Sequence, residues 1–274
     1  MFISIVEQAC TFLPFALGVY LSYVVLNRAD LTVEGSFVLG GVVYAKLLIL
    51  GISVGVAVTA AILAGILAGI CVSILQYRDR VSSLIAGILI LFMLQSITLI
   101  LMGRPNIPLL DYSYFSGAFF LLTTALLLIV AVVSLMKSQL GLMLTAFGDN
   151  SLLMSLMGHK AEKYRMVGLC IGNGLAAFSG LLTAQYQGFA DVGMGTGLAL
   201  IGIGTVIIGQ QMIPKIQKRA AMRVFSCLFG VLLYFVVVHS LVRSGINPMY
   251  MKLAIGIAIA SMLYFQRQKG EIRC

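Results

Sequence analysis

The sequence predicts an all-α, polytopic membrane bundle of about nine spans, with eight to ten compatible with its pattern. Three observations carry this. Hydrophobic residues make up 61% of the 274 positions and charged residues 10%, with a mean hydropathy of +1.07, outside the range of soluble globular domains. Apolar runs of about 18 residues or more recur along the chain, as spanning helices require. The short alternating segments of a membrane β-barrel do not appear.

Taken in order, the runs fall at 9–27, 33–50, 52–75, 82–102, 117–137, 166–187, 195–211, 222–242 and 248–266. The first follows Met1–Glu7, which carries an acid and no basic n-region, so it is expected to stay as a span and not be cleaved as a signal. The second opens on Thr32, Glu34 and Gly35 and is short, a pattern that also suits a broken helix. The third carries Ala61, Gly65, Gly69 and Ser73 at four-residue spacing, and the sixth carries Gly168, Gly172, Ala176, Gly180 and Ala184. Small residues in such stripes let helix backbones approach closely where lipid supplies no hydrophobic drive. The seventh is short and glycine-rich, like the second, and the two must run in opposite directions. Such a pair points to interrupted helices around a midplane site, or to tight packing alone. No segment is long and polar enough for a soluble domain, so residues 1–274 read as one membrane domain with its longest polar loop at about 138–165.

The formal net charge of +9 does not mark a nucleic-acid partner. Arg28, Arg78, Arg80, Lys137, Lys160, Lys163, Arg165, Lys215, Lys218, Arg219, Arg223, Arg267, Lys269 and Arg273 all fall on one side of the nine-span alternation. Only Lys46, Arg104, Arg243 and Lys252 fall on or near the other. The positive-inside rule then puts the N-terminus outside and the C-terminus in the cytoplasm. The chain is thus expected as a multi-pass membrane protein, surrounded by lipid.

Catalytic chemistry is not written in the chain. The histidines, His159 and His239, sit apart, no zinc-protease or serine-elbow motif occurs, and no Gly is directly followed by Lys, which excludes a P-loop. Cys10, Cys71, Cys170 and Cys227 fall in spans and Cys274 ends the sequence, so the cysteines read as packing residues and not as a disulfide or metal framework. No cofactor is expected in this chain, and any ATP would be used by a partner subunit.

Polar residues inside spans are costly and are candidates for a translocation path: Glu34, Gln95, Asn173 and Gln185. Glu34 also suits a bridge to a neighbouring helix or a place at the cytoplasmic edge within reach of water, and the three amides suit locking one helix to another, the more frequent use of such residues. The segment Met102–Leu110, stiffened by Pro105 and Pro108, and the segment Tyr186–Asp191 would together order the outer face. That face would suit a receptor, or be an ordinary loop.

The loop Gly148-Asp149-Asn150-Ser151-Leu152-Leu153-Met154-Ser155-Leu156-Met157-Gly158 is the strongest signal. Asp149 and Asn150 suit a helix start, and the acid also suits the helix dipole. Leu152, Leu153, Leu156 and Met157 share a face, and Gly158 suits the stop. A two-turn helix lying on the membrane and a coupling helix seated in an ATPase groove fit this pattern equally.

The chain resembles the permease subunits of bacterial ATP-binding-cassette importers in the branched-chain amino acid and sugar permease superfamily, and within it the aromatic-amino-acid-uptake branch. The matching runs are Asp30–Phe37, Met102–Leu110, Gly148–Asn150 and Gln185–Gly195, spread over about Ala29 to Gln210. The resemblance implies a permease dimer, two cytoplasmic ATPase subunits, an extracytoplasmic substrate-binding protein, and Gly148–Gly158 as the coupling element. Two departures stand out: Met154-Ser155-Leu156-Met157 replaces an Arg-containing small-residue stretch, and Ala146-Phe147 precedes Gly148 where relatives tend to have Arg. The competing reading is a stand-alone secondary transporter coupled to protons or ions through Glu34. It would rest on a single buried acid with no charged relay.

Overall fold

The computed structural model describes residues 2–77, 80–109, 117–212 and 220–244, with Leu253, Gly256 and Ile257 beyond them. It is helical apart from one two-stranded ribbon. Helix α1 (Phe2–Val19) runs on into a π-helical turn (Tyr20–Val25); α2 is Thr32–Ile49, α3 Val54–Leu75 and α4 Ser83–Met102. Strand β1 (Asn106–Pro108) precedes α5 (Ala118–Lys137), α6 (Gln139–Leu156) and α7 (Ala161–Gln187). Strand β2 (Phe189–Asp191), a 3-10 turn (Val192–Gly195), α8 (Leu198–Met212) and α9 (Ala220–Arg243) complete the order.

Among the described residues, 8 stretches are long and apolar enough to cross a membrane, including every helix but α6; the stretch at α8 needs its 3-10 turn to reach that length. The ninth expected span, 248–266, lies outside the described residues except at Leu253, Gly256 and Ile257. Two expected boundaries move. The first helix reaches back to Phe2 and the sixth spanning helix begins at Ala161. The expected loop at 138–165 is mostly helix: α6 follows α5 after Ser138 alone, and only 157–160 separate it from α7.

Helix α7 is the post of the bundle, with α1, α2 and α3 packed around it. The small-residue stripes mark these contacts. A Cβ on Gly69 would come within 2.7 Å of the Leu169 carbonyl, and one on Gly65 within 2.5 Å of the Asn173 carbonyl. A Cβ on Gly40 would collide with the Ala177 backbone. Only backbone-to-backbone approach fits there, and dispersion between closely packed atoms supplies the attraction that water would supply in a soluble core. Helices α1 and α2 are largely buried, whereas α3, α4 and α5 turn exposed Leu67, Phe92, Ile100 and Leu126 outward, as lipid contact requires.

The end of the bundle where α7 begins is here called the base, and the end where it stops, the crown. At the crown β1 and β2 pair antiparallel with Ile107 opposite Ala190, and Leu109 N–H donates to the Gly188 carbonyl at 2.7 Å. The two segments that the sequence marks as an ordered face thus form one ribbon, and Ile107 and Ala190 are buried beneath it.

A bulky residue at Gly40 should abolish the α2–α7 approach. Gly40→Val is expected to lose monodisperse protein on size exclusion in detergent, while Gly55→Ala, whose Cβ meets nothing within 4 Å, should melt at or slightly above the wild-type temperature.

Candidate functional site

Two places concentrate polar or exposed functional-type residues: a seam inside the bundle and a helix at its base.

The seam starts from a constraint on α8. Ser36 on α2 donates to Asn173 Oδ1 at 2.7 Å, and Asn173 stands near mid-length of α7. Glu34 lies half a turn below Ser36, and the backbone of Gly195 packs against it. The 3-10 turn therefore descends from the crown, and α8 begins deep in the bundle. Its first amides have no carbonyl of their own helix to meet. Glu34 meets them: Oε1 accepts from Gly197 N–H at 3.0 Å and Oε2 from Ala199 N–H at 3.3 Å. Gly197, at φ +81, makes the left-handed turn into the helix. The carboxylate is buried, and it lies at the positive end of the α8 dipole. Glu34 is thus a cap between α2 and α8 and not a residue at a water-facing edge, which corrects the interfacial placement read from the sequence.

Asn173 carries a second link. Its Nδ2 donates to Asp30 Oδ2 at 2.9 Å and to the Leu169 carbonyl at 3.0 Å. Asp30 Oδ1 accepts from Thr32 N–H at 2.9 Å, which caps the start of α2. Asp30 lies in the connection between the first two spanning helices. Burial pushes its carboxyl above the usual carboxylate range, against the pull of its bonds from Thr32 and Asn173. The sequence reading passed over Asp30. Its signal was an Asp two residues ahead of Thr32 at the opening of an apolar run. Nearer the crown, Tyr44 OH donates to Gln185 Oε1 at 2.6 Å.

Of the four residues expected along a path, Glu34 and Asn173 share the seam and Gln185 lies nearer the crown, locking α2 to α7. Gln95 does not join them. It is half-buried on α4 between exposed Met93 and Ser96.

At the base, α6 bends at Asn150, whose backbone leaves helical geometry (φ −159, ψ 93). Asn150 Oδ1 accepts from Leu153 N–H at 2.8 Å, so Asn150 caps the short second arm and Asp149 stands exposed beside it. That arm ends in a Schellman motif. Gly158 has φ +83, its N–H donates to the Ser155 carbonyl at 3.1 Å, and His159 N–H donates to the Met154 carbonyl at 3.2 Å. Met154 is buried and pins the arm. Leu152, Leu153, Leu156 and Met157 turn outward, with Leu156 76% exposed. Gly148 lies against the carbonyl of Val25 in the π-helical turn, where a Cβ would collide, and Arg28 stands over the Phe147 ring, 6.0 Å from its centroid. A recess of about 300 Å³ opens between 26–28 and 147–152. Among the described residues no group of three or more His, Cys, Asp or Glu is placed to hold a metal.

A membrane bundle with a polar internal seam and an exposed apolar helix at one end has the layout of a transport subunit worked from outside itself. The chain belongs to the permease family described as "Branched-chain amino acid transport system / permease component", which it matches over residues 1–263, and is a non-catalytic, ABC-type permease of the inner membrane. It is 42% identical over 268 residues to an uncharacterised protein of Rickettsia prowazekii, covering 94% of each chain. It is 35% identical over 241 residues to the tyrosine transport system permease protein of Clostridioides difficile, covering 85% of this chain and 82% of that one. A more distant relative is the Escherichia coli protein named "Probable ABC transporter permease protein YphD", 28% identical over 142 residues, 50% of this chain and 42% of that one.

Removing Glu34 should uncap α8. Glu34→Ala is expected to lower the melting temperature in detergent by several degrees, since each buried amide left without a partner costs about 1–3 kcal/mol; Glu34→Gln, which keeps one acceptor oxygen, should lose less. Asn173→Leu, which strands Asp30 and Ser36, should destabilise by about 2 kcal/mol or more.

Proposed function

We propose that this chain forms the translocation path of an ATP-driven importer for an amino acid, with aromatic amino acids favoured, and that α6 is where a separate ATPase takes hold. The observation that carries the reading is the second arm of α6. It is capped at both ends and pinned by Met154, and it still leaves four large apolar side chains exposed at the end of the bundle where Arg28, Lys137, Lys160 and Lys163 lie. Positive-inside asymmetry makes that end cytoplasmic, with the N-terminus outside and the crown facing the substrate-binding protein. Short helices with apolar anchors fit grooves on partner proteins, and this one needs such a groove. The tyrosine permease name of one relative supports an aromatic substrate.

In this reading residues 1–274 act as one membrane domain, the segment 138–165 is its coupling element, and a second permease copy completes the path. Gly148, Asp149, Asn150, Leu152, Leu153, Leu156, Met157 and Gly158 form the coupling contact. ATP binding draws the ATPases together and moves α6. Gly148 bears on the π-helical turn at Val25, and that turn leads through Arg28 and Asp30 to the start of α2. Glu34 then transmits the shift to α8. The small lever at the base is thereby connected to the helix that begins in the middle of the bundle. Glu34, Asn173 and Gln185 serve this linkage as positioning residues.

The test is co-purification with an ABC-type ATPase subunit of the same organism. Leu153→Asp/Leu156→Asp should lose the ATPase while eluting and melting like wild type. Retention of the ATPase by that variant would sink the α6 assignment. If wild type also holds no ATPase, proton-coupled uptake in liposomes and its loss in Glu34→Gln would support the secondary-transporter reading.

A further inference from the structure

A cavity of about 220 Å³ lies in the crown half of the bundle, where α1, α2, α7, α9 and the start of α8 meet. Its lining is divided. Phe12, Tyr234 and Phe235 make an aromatic wall: Phe12 stacks on Tyr234 with ring centroids 6.2 Å apart, and Phe235 meets both rings edge-on at 5.8 and 5.0 Å. Gln8, Thr183 and Gln187 bring amides and a hydroxyl. Met194 and Leu198, at the head of α8, place the cavity next to the helix that Glu34 caps. Tyr186 also lines it and points its hydroxyl at Glu7, at 3.4 Å.

Size and lining select an occupant. A closed apolar cavity of about 150 Å³ holds one benzene molecule, so this space suits an aromatic ring with a short polar extension. Ring faces and edges reward an aromatic guest beyond the area it buries, and an aliphatic chain collects only the area term. Among the described residues no Asp, Glu, Lys or Arg lines the cavity, so a guest with a charged side chain would be stripped of water without compensation. Amide and hydroxyl groups can both donate and accept, which suits the ammonium and carboxylate of an amino acid held near the mouth.

We propose that this cavity is a solute site inside a single protomer that takes an aromatic amino acid, its ring against Phe12, Tyr234 and Phe235 and its amino-acid end on Gln8, Thr183 and Gln187. This deepens the importer reading and rests on it: selectivity then lies partly in the permease, and each protomer offers its own site on the way to α8.

The chain has no Trp, so L-tryptophan fluorescence, excited selectively, reports binding to purified permease in detergent micelles directly. Wild type should bind L-tryptophan saturably, with L-tyrosine and L-phenylalanine competing and L-leucine and L-lysine weaker by about tenfold or more. Thr183→Phe, which fills the cavity from a half-buried position, should weaken binding by a similar factor. Tyr234→Leu, which removes a wall, should weaken it independently. Each variant is taken forward only if it elutes and melts as a folded protein. Absence of saturable binding to folded wild type, equal competition by L-leucine, or unchanged binding by Thr183→Phe would overturn the site. ATPase retention by the same preparations separates the two ideas: loss of the aromatic site with the ATPase retained removes this inference alone.

Discussion

A helix that starts in the interior of a membrane bundle has amides that neither water nor its own turns can satisfy, and an unmet amide in such surroundings costs several kcal/mol. The descending segment after β2 places α8 in that position, and Glu34 resolves it by reaching across from α2. Much else follows from this contact. It fixes how far the 3-10 turn descends, holds Met194 and Leu198 at the foot of the aromatic cavity, and ties α8 to the helix that packs along α7. A carboxylate is the strong choice here because it accepts from two amides at once and its charge is favoured by the helix dipole.

The seam around Asn173 follows the same economy. One side-chain amide joins Asp30 in the connection after the π-helical turn, Ser36 on α2 and a carbonyl of its own helix. Tyr44 and Gln185 repeat the pairing nearer the crown. Asp30, Ser36, Asn173, Tyr44 and Gln185 thus find partners on neighbouring elements. Gly18, Gly40, Gly65 and Gly69 bring the backbones of α1, α2 and α3 up to α7, while the outer flank of α3, with α4 and α5, faces outward.

The helical membrane fold was readable in the sequence because long apolar runs have one solution in lipid. The stripes at Gly65 and Gly69 and at Gly168 to Ala184 also showed where helices would touch, though not which ones. Glu34 stood out as an acid in an apolar run. Its partners did not, because Gly197 and Ala199 contribute only backbone amides, which every residue has. Asn173 and Gln185 were noticed for the same reason as Gln95. The spacing of a lone amide cannot tell the inner face of α2 or α7 from the half-exposed flank of α4. The first arm of α6 was missed since a helix too short to span, opening with Gly141 close by and containing Gly148, has the composition of a loop. The family resemblance rested on runs that the structure brings to different places, the seam, the ribbon and the base, and the family match supports it over nearly the whole chain.

The π-helical turn at Tyr20–Val25 holds a reserve of chain. Its wider rings, closed by Leu26 N–H on the Leu21 carbonyl at 2.9 Å, accommodate one residue more than α-helical turns would over the same rise. Tightening that turn to α geometry would pass one residue down the chain, advancing everything after it by about 1.5 Å and turning it by roughly 100°. Gly148 rests on the Val25 carbonyl, the last residue of that turn. The place where α6 touches the bundle is therefore a place where the backbone can trade length for rotation next to the connection that carries Asp30.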